Sequence, residues 1–157
     1  QVFGELIGVW AAAAWEALGH PAEVRLVELG PGRGTLMADL LRTARVLPAF
    51  HKAVSVHLVE MSPTLVARQR QVLAGVARPV TWHRDLADVP EGPAIVIANE
   101  FLDALPVRQF VMTAHGWRER VIGIADGRLA FGLAPDPVPP GIIPAPLRSA
   151  APGAVCE

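Results

Sequence analysis

The chain has 157 residues, 52% of them hydrophobic, enough for one domain with a sizeable core. A net charge of −1 with no Lys/Arg run argues against nucleic-acid binding through bulk electrostatics, and no apolar run reaches the roughly 18 residues of a membrane span. A single cysteine, Cys156, excludes a disulfide framework and points to a reducing compartment, and the scattered histidines supply no metal-ligand set.

Taken in order, Val2 to Leu18 reads as a helix with Phe3, Leu6, Ile7, Trp10, Ala14 and Leu18 near one face. Gly19-His20-Pro21 stops it, and it is expected to pack beside the first strand. Leu26, Val27 and Leu29 form a short apolar strand, followed by Gly30, Gly32 and Gly34 at a spacing of two. From Thr35 to Arg45 a helix is predicted, with Leu36, Met37, Leu40, Leu41 and Ala44 on one face. Ala53 to Glu60 is a second strand. Ser62-Pro63 then opens another helix, as a strong cap and a proline suited to the first turn. Leu65, Val66, Gln69, Val72 and Leu73 give that helix its inner face, and Gly75 ends it. Val80 to Arg84 is a third strand. Pro93 to Ala98 is a continuous apolar fourth, of the kind buried on both sides.

Strands alternating with helices predict an α/β fold with a doubly wound, mostly parallel sheet. After Pro106 the pattern changes. Val107 to Thr113, Trp117 to Ile124 and Arg128 to Leu133 alternate like half-exposed strands, with His115-Gly116 and Asp126-Gly127 at the joints, which predicts an antiparallel meander. Pro135 to Pro146 carries six prolines in twelve residues and is expected to be an extended connector. The organisation expected is therefore one partial domain: residues 1–106 as a ligand-binding core, 107–134 as the meander and 135–157 as a Pro-rich connector. The sheet is expected to continue in a longer protein. Thirteen arginines against one lysine suggest a GC-rich bacterial genome.

The strand, glycine elbow and helix form a ligand-binding unit, and glycine spacing separates its possible ligands. A phosphate-cradling loop needs G-x-x-x-x-G-K-[ST], and no lysine is present in this turn. The dinucleotide fingerprint needs G-x-G-x-x-G, where this chain has G-x-G-x-G, which disfavours a nicotinamide oxidoreductase. The string Glu28-x-Gly30-x-Gly32-x-Gly34 resembles motif I of class I S-adenosylmethionine-dependent methyltransferases. That cofactor brings no pyrophosphate, so the loop needs bare backbone, and Glu28 can sit near the cationic amino group of the methionine tail.

In such sheets the ligand lies off the carboxyl ends of the strands. Glu60 ends strand two, where its carboxylate can accept from vicinal ribose hydroxyls or simply favour the next helix N-terminus. Asp85 ends strand three and can accept from an adenine amino group or cap a turn. Asn99, Glu100 and Asp103 follow strand four; the two acids are three apart, so a helical turn would place both on one side. A plain reading makes Asn99 a cap with two acids at a helix N-terminus. A functional one makes the cluster a catalytic group that holds a cationic methyl acceptor.

The strings Phe3-Gly-Glu-Leu6, Val27-Glu-Leu-Gly-Pro-Gly-Arg-Gly-Thr-Leu-Met37, Leu58-Val-Glu-Met-Ser-Pro63, Asn99-Glu-Phe-Leu-Asp-Ala-Leu-Pro-Val107 and Gly116-Trp-Arg-Glu119 together resemble the MidA-like family. That family is related to the mitochondrial protein arginine methyltransferase that assists respiratory complex I assembly. The resemblance covers nearly the whole chain and implies a Rossmann-like class I methyltransferase fold. It implies S-adenosyl-L-methionine as cofactor, held by Glu28, Gly30, Pro31, Gly32, Gly34, Glu60, Met61 and Asp85. It also implies an acceptor near Asn99, Glu100 and Asp103, with a protein arginine of a respiratory-complex subunit as substrate. The location implied is the bacterial cytoplasm, or the mitochondrial matrix in a eukaryote. Methyl or aminopropyl transfer to a small molecule on the same fold, and a non-catalytic assembly scaffold, stay open as alternatives.

Overall fold

Four parallel strands carry the first half of the chain in a computed structural model that describes all 157 residues. They are β1 (Val24–Leu29), β2 (Val54–Val59), β3 (Val80–His83) and β4 (Ala94–Ile97), in the order β3-β2-β1-β4. β1 lies in register with β2 from Val24↔Val54 to Leu29↔Val59 and with β4 from Arg25↔Ala94 to Glu28↔Ile97. Placing β1 centrally, with the chain crossing from one side of it to the other, creates the topological switch point at which such sheets bind ligands.

The helices are α1 (Val2–Ala17), α2 (Thr35–Ala44), α3 (Pro48–Ala53) and α4 (Pro63–Val72). Ser62 caps α4, its hydroxyl accepting from the Leu65 N–H at 3.4 Å, and Pro63 stands in the first turn. The core joins Val24, Leu26, Val54, Val56, Leu58, Ile95 and Ile97 on one sheet face to Ala11, Trp15, Met37, Leu40, Leu41, Phe50 and Leu73 of the helical layer. Helix α3 has no counterpart in the sequence reading. Pro48 starts it, and it seats Phe50 with no exposed surface.

Two expectations are corrected. Helix α1 buries only part of the expected face: Ile7 and Ala14 pack against the core, whereas the other large residues of that face do not. Phe3, Leu6, Val9 and Trp10 are exposed, and Gly4, Gly8, Ala11 and Trp15 are buried. Its main neighbour is α2 rather than β1. A Cβ at Gly4 would stand 2.6 Å from Asp39 Cβ, and one at Gly8 would stand 3.0 Å from Leu40 O and Thr43 Cβ. Glycine here lets two helix backbones meet, and hydropathy gives such a face little weight. Strand β4 is likewise not buried on both sides: Ile95 and Ile97 face the core, while Val96 is 48% exposed. It is the edge strand of the sheet, and the helical residues of the core meet only the Ile95 face.

The chain divides into two compact units, Gln1–Ala104 and Leu105–Glu157. The second holds β5 (Gln109–Thr113), β6 (Gly116–Ala125), β7 (Arg128–Pro137) and β8 (Val155–Cys156), in the antiparallel order β7-β6-β5-β8. Asp126 and Gly127 both take positive φ, 51° and 72°, as a two-residue hairpin turn requires. The stretch expected as a connector is folded. β7 runs on to Pro137, which an edge strand tolerates because its outward side needs no N–H donor. Ile143 packs with Phe110 and Trp117 in a small core, and Val155 and Cys156 pair with Val111 and Phe110.

The α1–α2 contact yields a direct test. Gly8→Val would gain a few tenths of a kcal/mol in helix propensity and lose about 1–3 kcal/mol to overpacking. Urea denaturation is expected to show a lower midpoint than wild type; an equal or higher one would show that the helices have room to spare.

Candidate cofactor site at the carboxyl ends of the strands

The loop between β1 and α2 is built on left-handed backbone. Gly30, Gly32 and Gly34 have φ of 61°, 52° and 78°, a region costly for residues with a Cβ. The Gly30 N–H donates to Val59 O at 3.1 Å, tying the loop to β2, and the Gly34 N–H donates to Pro31 O at 2.8 Å to close the turn. Gly34 is also the N-cap of α2. Two of these glycines are crowded as well. A Cβ on Gly30 would stand 2.5 Å from the Phe101 ring, and one on Gly34 3.3 Å from Gln69 Cγ. Nothing lies within 4 Å of a Cβ built on Gly32, so its backbone is open to a ligand.

Glu60, just beyond β2, is held from two directions. Its Oε1 accepts from the Ser62 N–H at 2.9 Å and its Oε2 from Gln69 Nε2 at 3.2 Å. A carboxylate offers about four lone-pair sites, so roughly two remain, one on each oxygen. That is the acceptor pattern a pair of vicinal hydroxyls needs. Gln69 is fully buried and also donates to Gly32 O at 2.8 Å, while its Oε1 accepts from the Trp82 indole N–H at 2.9 Å. Sequence reading placed Gln69 on the inner face of α4 without giving it a role. The available signal was an amide among Leu65, Val66, Val72 and Leu73, since a buried polar group needs partners. Beside Glu60 lies a cavity of about 330 Å³, lined in part by Met61, Arg70, Trp82, His83 and Arg84. The Arg70 guanidinium lies 5.2 Å from the Trp82 ring centroid, over its face.

Glu28 occupies a different environment. It is 3% exposed, and its Oε2 is buried without a hydrogen-bond partner. Burial alone pushes its carboxyl up to about 7. A buried acceptor without a donor, two residues before the glycine turn, is suited to a cation or a donor from a ligand.

The remaining sequence-derived candidates stand at the same end of the sheet with differing engagements. Pro31 is buried in the turn and Met61 is exposed at the cavity. Asp85 is occupied locally: its Oδ1 accepts from the Ala87 N–H at 2.9 Å, and Asp88 reciprocates on the Asp85 N–H at 3.3 Å. This capping box starts a short 3-10 turn, so only part of the Asp85 carboxylate is left for a ligand. Asn99, Glu100 and Asp103 are exposed, and no side-chain hydrogen bond or ion pair engages them. Glu100 has φ 48°, and the 3-10 turn begins only at Leu102. The helical i,i+3 relation expected of the two acids therefore does not hold, nor does Asn99 cap the turn. Phe101 between them anchors the run on Gly30. A non-glycine residue in left-handed backbone beside a candidate site is a strain that function often explains. Asn99 also borders an apolar pocket of about 200 Å³ with Phe3, Ile7, Leu36 and Ile97.

Glu28 makes stability depend on pH. Below about pH 4.5 its carboxyl is protonated in folded and unfolded chains alike and contributes nothing. Between pH 4.5 and about 7 the unfolded chain gives up a proton that the folded chain keeps, so stability falls as pH rises. The full loss, reached above pH 7, is about 3 kcal/mol. Glu28→Gln is expected to gain more stability at pH 8 than at pH 5 in urea titrations; equal gains at both would show that Glu28 is charged in the fold throughout.

Comparison with known proteins shows the family to which the chain belongs. The model of the family described as "Putative S-adenosyl-L-methionine-dependent methyltransferase" matches residues 6–153. Protein arginine methyltransferase NDUFAF7, mitochondrial, from Mus musculus is 44% identical over 164 residues, covering 88% of this chain and 38% of the mouse protein. The Homo sapiens protein of that name is 41% identical, with coverage of 88% and 37%. Among solved structures, a Burkholderia thailandensis protein bound to S-adenosyl-homocysteine is 35% identical with a TM-score of 0.63, covering 85% of this chain and 34% of that one. A native crystal structure of a protein from the same organism gives a TM-score of 0.67 at 33% identity, with coverage of 98% and 40%. The chain thus spans about 38% of the length of the mouse relative. With a family model matched over nearly its whole length and a glycine turn of the motif I spacing, the chain belongs to this family of S-adenosyl-L-methionine-dependent methyltransferases.

Proposed function

We propose that the chain binds S-adenosyl-L-methionine at the glycine turn and serves methyl transfer to an arginine side chain of a protein. The observation that carries this reading is the pair of unlike carboxylates around Gly30–Gly34. Glu60 is anchored with two acceptor sites left over, and Glu28 is buried with an oxygen left unpartnered. Two vicinal hydroxyls suit the first and an amino cation suits the second, and the ribose and methionine tail of this cofactor bring both. When bound, the cofactor supplies an electrophilic methyl group on a sulfonium.

The chain's own residues do the rest. Glu60 accepts from the ribose hydroxyls, Met61 and Asp85 border the base, and the Gly30, Pro31, Gly32 and Gly34 backbone gives close approach. An ammonium beside Glu28 favours its ionised form, offsetting the burial that keeps it protonated. A guanidinium is protonated at neutral pH and a poor nucleophile. Glu100 and Asp103, both free of other partners, hold it by charge-assisted hydrogen bonds and leave one nitrogen to attack, with Asn99 at the edge. The nitrogen then loses a proton to a carboxylate or to water. Alignment of this kind accounts for several kcal/mol of barrier lowering. The arginine acceptor comes from likeness to relatives named protein arginine methyltransferases, and the link to respiratory complex I comes from the family resemblance. A reducing compartment, bacterial cytoplasm or mitochondrial matrix, suits the free Cys156.

Calorimetric titration with S-adenosylhomocysteine is expected to show affinity about tenfold or more weaker in Glu60→Ala, as for loss of hydrogen bonds to a charged group. Unchanged affinity would remove the ribose assignment. Glu100→Gln is expected to keep that affinity while losing methylation of an arginine peptide followed by mass spectrometry. Retained turnover would move catalysis elsewhere, and a methylated small molecule instead of peptide would change the acceptor class.

A further inference from the structure

We propose that Gln69 is the positioning residue of the cofactor site: its buried amide aims the Glu60 carboxylate and locks it to the glycine turn. The inference rests on the reading that Glu60 takes the ribose hydroxyls. One amide N–H goes to Glu60 Oε2 and the other to Gly32 O, at 3.2 Å and 2.8 Å. The orientation of the amide is set by Trp82. Its indole nitrogen only donates, so the atom facing it at 2.9 Å is the Gln69 oxygen, and the NH₂ group must face the two acceptors. With no exposed surface, Gln69 has no water to substitute for these partners.

The arrangement has a chemical consequence beyond holding the fold. Without the amide, the Glu60 carboxylate would be fixed only through Oε1 by the Ser62 N–H and would rotate about its last bond. Two oxygens must be presented together to accept from vicinal hydroxyls, and only the second anchor ensures it. The same side chain packs on Gly34, where an added Cβ would meet Gln69 Cγ at 3.3 Å, so the cap of α2 and the ribose acceptor are registered by one residue. Glutamine is suited to this task where glutamate is not. A carboxylate at position 69 would still accept from Trp82 but would place negative oxygens against Glu60 and the Gly32 carbonyl.

The test uses two ligands, S-adenosylhomocysteine and its 2′,3′-dideoxyadenosyl counterpart, titrated calorimetrically into the wild-type chain and into variants. Wild type is expected to prefer the diol ligand by about tenfold or more. Gln69→Glu is expected to lose about that factor for the diol ligand and less than about threefold for the dideoxy one, since a positioning role acts only through the hydroxyls. Equal losses for both ligands would make Gln69 a purely structural residue and overturn the proposal, as would no loss at all. Should Gln69→Glu not fold, Trp82→Phe carries the test. It removes the donor that orients the amide while keeping an aromatic ring under Arg70, and a wild-type diol preference in that variant overturns the proposal. Absence of any preference in wild type overturns the ribose reading, and this inference with it.

Discussion

The site depends on a short run of left-handed backbone between β1 and α2. Three glycines two apart take positive φ in succession, which turns the chain sharply at the switch point of the sheet and leaves backbone uncovered at Gly32. Such a turn is entropically costly and needs holding. Val59 holds it from β2, the Phe101 ring packs where a Cβ on Gly30 would stand, and the buried Gln69 amide grips the Gly32 carbonyl.

Around it stand two carboxylates with opposite histories. Glu60 is satisfied by two donors and partly open to solvent, whereas Glu28 is buried against apolar residues with an oxygen unpartnered. The first is an acceptor prepared for hydroxyls; the second is a carboxyl that burial pushes up to about 7 and that a neighbouring cation would help to ionise. A fold that needed these acids for stability alone would pair both. Leaving one unpaired costs stability above its pKa, a cost that a binding site explains and a core does not.

The α1–α2 contact shows a seam set by small residues rather than by large apolar ones. Helix α1 meets α2 through Gly4 and Gly8, and an exposed ion pair from Arg42 to Glu5 at 2.8 Å crosses the seam, while Arg42 also pairs with Asp39 on its own helix. Close backbone approach carries the contact, since exposed pairs of this kind contribute little. The price is an outward face of Phe3, Leu6, Val9 and Trp10, just as β4 turns Val96 outward.

The sequence by itself determined the features whose causes are local. The glycine spacing, the Ser62-Pro63 helix start, the Asp126-Gly127 hairpin and the position of each polar residue at a strand end are short-range and were legible one stretch at a time. The spacing of the same turn disfavoured phosphate and dinucleotide ligands, and its resemblance to motif I, read with the other strings of the chain, implied the cofactor class. Tertiary structure decided what depends on which surfaces meet. It chose the glycine face of α1 over the bulky one, because backbone proximity there outweighs hydropathy. It committed Asp85 to a capping box, put Glu100 in left-handed backbone, and folded the proline-rich end into β7 and β8. It also gave Gln69 three partners from three distant segments, the turn, the end of β2 and β3. A hydrogen-bonded hub of that kind has no sequence period, and only the closing of the sheet on its helices brings it together.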